Sequence, residues 1–436
     1  MALKVGQEAA VAVTKKFRES YCAPNFGGRR YSPSSRTLCA LRCLRSGAHQ
    51  ISFARYAFTK FLLCSVLLVS TAEAAVLPEE RFDTLYHSYS GGGVTIDGPS
   101  ILVRKNIGNN VSLSANYYVD MISGASIDVR TTASRYTEER NEFSVGADYL
   151  VEKTTMSLSY TNSSENDYQA ETVGFGISQD FFGDLSTLSM RATFGSDDVM
   201  RNGDDEFLEH AEHRRYSLGW TQILTTKLIA ELSVETVADE GFLNNPYRSV
   251  RYLDPSSALG YSYQAELYPT TRNSDAVALR AKYRLPYRAA IKTEYRHYVD
   301  SWGITADNLE FRYTHPLESE NLILEGKLRF YKQKGADFYS DLFPYVDATN
   351  FRARDKELSD YSDIAIGIGV SYLVPDRWAL FDRKNTLNLY WDYMMFDYED
   401  FNNVEVHSGG GDYLPGEEPA YNFNAHVVRA YWSMWF

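Results

Sequence analysis

YNFNAHVVRAYWSMWF, residues 421–436, is the stretch on which the fold turns. Val428, Ala430, Trp432, Met434 and Phe436 are spaced two apart, so a strand places them on one face and makes that face apolar. Val427, Arg429, Tyr431, Ser433 and Trp435 fall on the other, mixed face. Such a face must meet lipid or a partner, unless the segment is the buried last strand of a soluble β-protein. The remainder of the chain separates these readings.

Mean hydropathy is −0.36, and no apolar run approaches the roughly 20 residues of a membrane helix, which excludes a helical membrane protein. One shorter apolar run, 61–70 (FLLCSVLLVS), follows Arg55 and Lys60 and precedes Ala72-Glu73-Ala74. A basic segment, a short apolar core and a small-residue site predict a cleaved secretory signal over 51–74, with cleavage after Ala74. Residues 1–50 read as an extended or non-native leader, and 75–436 as one domain. All four cysteines (Cys22, Cys39, Cys43, Cys64) precede the cleavage site, so the mature chain has neither disulfides nor thiolate metal sites. Of 44 Lys+Arg and 57 Asp+Glu, 11 and 3 precede residue 75, leaving a mature net charge of about −21, which argues against nucleic-acid binding.

From residue 81 the pattern is strand, turn, strand, loop, repeated. Val173, Phe175 and Ile177 alternate with Thr172, Gly174, Gly176 and Ser178. After Gly183-Asp184, Leu188, Met190, Ala192 and Phe194 alternate with Ser189, Arg191 and Thr193. Short turns are expected near 108, 153, 184, 226, 286, 318 and 380, the last being the longest. Long loops are expected near 92, 130, 165, 205, 255, 302, 347 and 410. Sixteen strands result, with both termini on one side. The pattern predicts an all-β, antiparallel up-and-down transmembrane barrel with short periplasmic turns and long external loops. The closing strand, with Trp432, Met434 and Phe436 toward lipid, resembles the terminal assembly signal of Gram-negative outer-membrane barrels. Its expected partners are outer-membrane lipid and the barrel-assembly machinery.

The runs DMISGASIDV (120–129), SQDFFGDLSTL (178–188), EGFLNNPYRSVRYLDP (240–255), ADFYSDLFPY (336–345) and ARDKELS (353–359) resemble the bacterial family called domain of unknown function 3570. The likeness extends over roughly 82–436. It implies an outer-membrane location and transfers no activity, because the family carries no agreed catalytic residues.

By face, the tenth to thirteenth strands put Arg280, Lys282, Arg284, Lys292, Glu294, Arg296, Glu310, Arg312, Glu325, Lys327 and Arg329 on the inner wall. Eight of these are basic and three acidic. The third to sixth strands offer Ser, Asn, Thr and Gly there, with Asp120, Glu142 and Asp148. A basic wall opposite a neutral one would set up a transverse field able to select small charged solutes. Neutralisation across strands, as at Lys292/Glu294 and Glu325/Lys327, is the competing reading. The segment 239–272 carries too many aromatic groups for a free loop, and 336–359 resembles it. Tyr247, Arg248, Arg251 and Tyr252 are its candidate constriction residues.

Asp197, Asp198, Asp204, Asp205, Glu206, Glu209 and Glu212, with His210 and His213, could hold a divalent cation; a solvated charge run is the commoner outcome for such a stretch. No cofactor or resident metal is expected. The chain lacks G-x-S-x-G, H-E-x-x-H and a phosphate-binding glycine loop. His87, His297, His315, His407 and His426 have no evident serine partner, which argues against an enzyme. The expectation is a pore for small solutes in the bacterial outer membrane, the alternative being a non-conducting barrel for surface binding or envelope assembly.

Overall fold

The computed structural model describes residues 76–124, 136–317, 321–408 and 413–436. The expected leader and signal, and the Gly409–Asp412 run, lie outside the described residues.

Eighteen strands form: β1 (Arg81–Gly91), β2 (Val94–Ile107), β3 (Val111–Gly124), β4 (Tyr136–Val151), β5 (Thr154–Ser164), β6 (Tyr168–Phe181), β7 (Ser186–Arg201), β8 (Asp204–Thr225), β9 (Leu228–Gly241), β10 (Ser249–Leu253), β11 (Tyr261–Ala265), β12 (Thr271–Arg284), β13 (Ala290–Asp300), β14 (Thr305–Pro316), β15 (Leu322–Lys334), β16 (Tyr361–Leu373), β17 (Lys384–Asn402) and β18 (Ala420–Trp435). Sixteen close into one antiparallel barrel in sequence order, and β10–β11 stand apart as a small hairpin. No helix among the described residues is long and apolar enough to cross a membrane. Closure is made by β18, which pairs with β17 on one side and with β1 on the other, from Arg81↔Trp435 to Gly91↔Ala425. The opening stretch thus removes the last open sheet edge, as a barrel in lipid requires.

Alternation sets the two faces. Leu158, Phe175, Ile177, Met190, Leu218 and Ile368 are exposed on the outer surface, where lipid would cover them. On β18, Val427, Tyr431 and Ser433 are buried and face inward with Arg429. Gly98 shows how closely the wall packs: a Cβ there would lie 1.9 Å from the Val119 carbonyl oxygen.

Among the described residues the short-turn end follows the expectation, including the longer β16–β17 connection, where two 3-10 turns, Asp376–Trp378 and Leu380–Asp382, interrupt the chain. The turn expected near 318 and the loop expected near 130 lie outside the described residues. The other end carries the excursions 242–270, 335–360 and 403–419. Four connections expected to be long there, near 92, 165, 205 and 302, are tight turns instead. The strands themselves overhang: β8 has 22 residues and β17 has 19, against about ten needed to span. The residues 197–212 that read as an acidic loop are the paired arms of β7 and β8 around Asn202-Gly203. Beyond the bilayer a strand loses its lipid face, so apolar alternation stops while hydrogen bonding continues.

Candidate functional site

The lumen has two kinds of wall. Along β3–β8, glycine faces a hydroxyl across the strands: Gly146 beside Ser114, Gly174 opposite Ser159, Gly176 opposite Ser157, and Gly219 opposite Ser189. A Cβ at these glycines would meet the serine Oγ at 2.9, 2.6, 2.3 and 2.6 Å respectively. Ser157 and Ser159 remain half-exposed toward the interior. Sequence therefore builds a low, polar wall by pairing the smallest residue with the smallest hydroxyl.

The facing wall carries the charged residues. Arg280 binds Glu231 (2.6 Å) and Glu294 (3.1 Å), and Lys292 shares Glu294 (3.1 Å). Arg296 reaches Glu235 at 3.0 Å. Arg312 contacts Glu325 (2.7 Å) and the buried Glu310 (3.3 Å), while Arg329 meets Asp363 at 2.5 Å. Lys327 and Arg429 converge on buried Asp392 at 2.6 and 2.7 Å. Lys282 and Arg284 are exposed at the short-turn end of β12. The eight-to-three basic excess does not describe this wall, because Glu231 and Glu235 on β9, Asp363 on β16 and Asp392 on β17 supply counter-charges from flanking strands. Gly367 makes one of these pairs fit: a Cβ there would stand 2.1 Å from Asp392 Oδ1.

A further interior group escaped sequence reasoning. His87 Nε2 lies 2.7 Å from Asp120 and 2.9 Å from the Tyr118 hydroxyl, and Arg140 reaches Asp120 at 3.2 Å. The sequence signal is inward parity alone: His87 on β1, Tyr118 and Asp120 on β3, and Arg140 on β4, of which only Asp120 is assigned to the inner wall from sequence.

Above the barrel, 242–270, 335–360 and the described residues 403–408 and 413–419 knit into one lid. Phe343 and Tyr252 bridge in parallel, and Leu267 pairs with Arg352. Leu243, Tyr268, Trp302, Ile304, Ala336, Ala353 and Leu358 form its buried apolar core. Arg251 is fully buried, bound to Asp341 from the second excursion and to Glu418 Oε1 (2.7 Å) from the third. Arg354 also binds Asp341, at 2.9 Å, and Arg248 binds Asp355 at 2.6 Å. Tyr247 donates to Asp167 at the β5–β6 turn and accepts from the Asn202 N–H. Of the four constriction candidates, Arg248 and Arg251 are thus buried loop-to-loop clasps, Tyr252 is a backbone bridge, and Tyr247 is a tether to the rim.

Two lid carboxyls titrate in opposite senses. Burial, then the charge of Asp355, pushes Glu266 up to about 7 from an ordinary 4.5. Burial also works to raise Glu418, but its hydrogen bonds to Arg251 and that residue's charge outweigh it and leave Glu418 lowered. A raised folded value gives stability that is present below 4.5 and lost as pH climbs through about 7; a lowered one gives stability present above 4.5 and lost as pH falls. Hydrogen-exchange protection factors in 242–270, which remove the intrinsic rise of amide exchange with pH, are therefore expected to be largest near pH 4.5 and to fall on either side. A monotonic profile would count against this pairing.

His210 and His213 do not gather into a metal site with the neighbouring acids. His213 offers Nδ1 to Asp239 (2.7 Å) and Nε2 to Asp197 (2.8 Å), so both ring nitrogens hydrogen-bond carboxylates and neither lone pair is left for a metal. His210 pairs with Asp198 at 2.7 Å.

Residues 130–216 and 208–390 match the family described as "Protein of unknown function (DUF3570)". No curated protein is significantly similar in sequence. Among solved structures, the chain is similar to a bacterial polysaccharide outer membrane secretin, at 8% identity over 83% of this chain and 99% of that one, with a TM-score of 0.45. It is also similar to the outer membrane protein OpdK of Pseudomonas aeruginosa, at 8% identity over 81% and 98%, with a TM-score of 0.40. A third, the CymD monoaromatic hydrocarbon channel, shares 8% identity over 83% and 89%, with a TM-score of 0.40.

Proposed function

The chain belongs to the DUF3570 family, and from that premise we propose that it is an outer-membrane pore for small charged or polar solutes, covered at its external mouth by a movable lid. A closed ring of sixteen strands has room for an aqueous lumen. The observation that carries the reading is the division of the wall: half-exposed Ser–Gly pairs along β3–β8 face a wall of held charges on β9 and β12–β18. Water and a solute would run along the low wall, and Arg280, Arg296, Arg312, Lys327 and Arg329 would set the field across it. This role assigns no bond-making step to any residue. Delivery to the membrane would use the cleaved signal, and β18 would be read by the barrel-assembly machinery through Trp432, Met434 and Phe436.

Planar-bilayer recording tests it. Arg280→Glu is expected to shift the reversal potential toward cation selectivity, since it turns a paired cation into an anion beside Glu231 and Glu294. A second reading, a non-conducting barrel serving surface binding or envelope assembly, is favoured by the complete burial of the Arg251 clasp. A folded barrel that stays silent even with that clasp removed would decide for it.

A further inference from the structure

At the long-loop end, Glu138 from the overhang of β4 meets Glu165 and Asp167 from the β5–β6 turn. All three are buried, and one oxygen from each lies within 4.8 Å of the others. Oxygens coordinating one calcium ion sit 2.3–2.6 Å from it, so the ligands of a shared ion lie within about 5 Å of each other. The Glu138 residue is 9% exposed, and one of its carboxylate oxygens, Oε1, is buried without a hydrogen-bond partner. Ionised carboxylates only accept hydrogen bonds, so these groups cannot satisfy one another. Negative charges this close and this far from water cannot coexist without a cation or bound protons. The surrounding architecture is rigid: the Met200 N–H donates to the Asp167 carbonyl at 2.8 Å, and the Tyr247 hydroxyl donates to an Asp167 side-chain oxygen at 2.5 Å.

We propose that Glu138, Glu165 and Asp167 form a binding site for a hard divalent cation of the calcium class. The donor set is all oxygen, which suits calcium and disfavours soft or imidazole-seeking metals. Water would complete the coordination. Because Asp167 also holds Tyr247, the ion would stiffen the point at which the lid is tethered to the rim. This site differs from the stretch 197–213, whose imidazoles are taken up by carboxylates.

The test uses the full barrel folded in detergent micelles, stripped with chelator. Calcium is titrated by calorimetry, and terbium by luminescence sensitised through the nearby Tyr168 and Tyr247. One saturable site is expected. Glu138→Gln and Asp167→Asn should each weaken it at least tenfold, whereas Glu206→Gln, on the β8 arm, should leave it unchanged. Retained heat-modifiable migration in gels identifies the variants that fold, and either one suffices for the comparison. Absence of a saturable site in the wild-type barrel overturns the proposal, as does undiminished binding in a folded Glu138→Gln or Asp167→Asn variant.

Discussion

Arg251→Gln is expected to convert a barrel with rare, brief openings into one that conducts for long periods. The Arg251 side chain has no exposure to water, and it joins Asp341 of one excursion to Glu418 of another. Removing one partner of a buried ion pair leaves uncompensated charge and costs about 3–5 kcal/mol. At about 1.4 kcal/mol per tenfold, even the lower figure shifts a closed-to-open equilibrium by roughly two orders of magnitude. Leu243, Tyr268, Trp302 and their neighbours would still pack, so the lid should loosen at the β17–β18 side first. Single-channel open probability in planar bilayers measures the effect. An unchanged record, with the barrel folded, would mean that the clasp does not govern access.

Asp392→Ala should produce the largest loss of barrel stability of any single wall substitution. Asp392 is 5% exposed and neutralises Lys327 and Arg429 from strands on either side of its own neighbourhood. Without it Lys327 and Arg429 lose the buried carboxylate that they share. The expected cost is again about 3–5 kcal/mol, read as a lower temperature for loss of heat-modifiable migration. Loss of the pair Lys332–Glu399, whose side chains are 70% and 55% exposed, should change stability by less than about 0.5 kcal/mol. Replacing Lys327, Asp392 and Arg429 together with apolar residues should recover most of the loss. Equal effects at the buried and exposed pairs would refute the argument.

The barrel was legible because each strand declares its own faces. Leu158 beside Ser157 and Ser159, or Phe175 between Gly174 and Gly176, needs no knowledge of a neighbour to be placed in lipid or lumen. The number of strands and the closing role of 421–436 followed from repetition of that local signal. What depends on pairing was not legible. Glu231, Glu235 and Asp363 lie on the strands flanking the four whose charges drew notice, and Asp392 one strand further on; which charge meets which is set by register across the sheet. Arg251 and Glu418 are far apart in sequence, and nothing local tells an aromatic loop which other loop it will clasp. The overhanging arms of β7 and β8 looked like loop because their residues are mostly acidic and polar, with only Val199 and Ala211 as buried apolar positions. The Glu138 cluster depends on a turn meeting a strand overhang, which no spacing along the chain reveals.

The pairing of Arg81 with Trp435 also governs the order in which this protein can form. Every other strand pair in the ring joins strands that follow one another along the chain, apart from β9 and β12, which are separated by the β10–β11 hairpin, whereas this one joins the two ends of the barrel. Loop-closure entropy rises only logarithmically with length, so the last contact is not prohibitively costly, but it cannot form early. Until it does, the chain is a curved sheet with β1 and β18 as unpaired edges, and those edges are where a competing strand would add. The rate of barrel formation should therefore respond to changes in β1 and β18 far more than to changes of equal size in the middle of the ring.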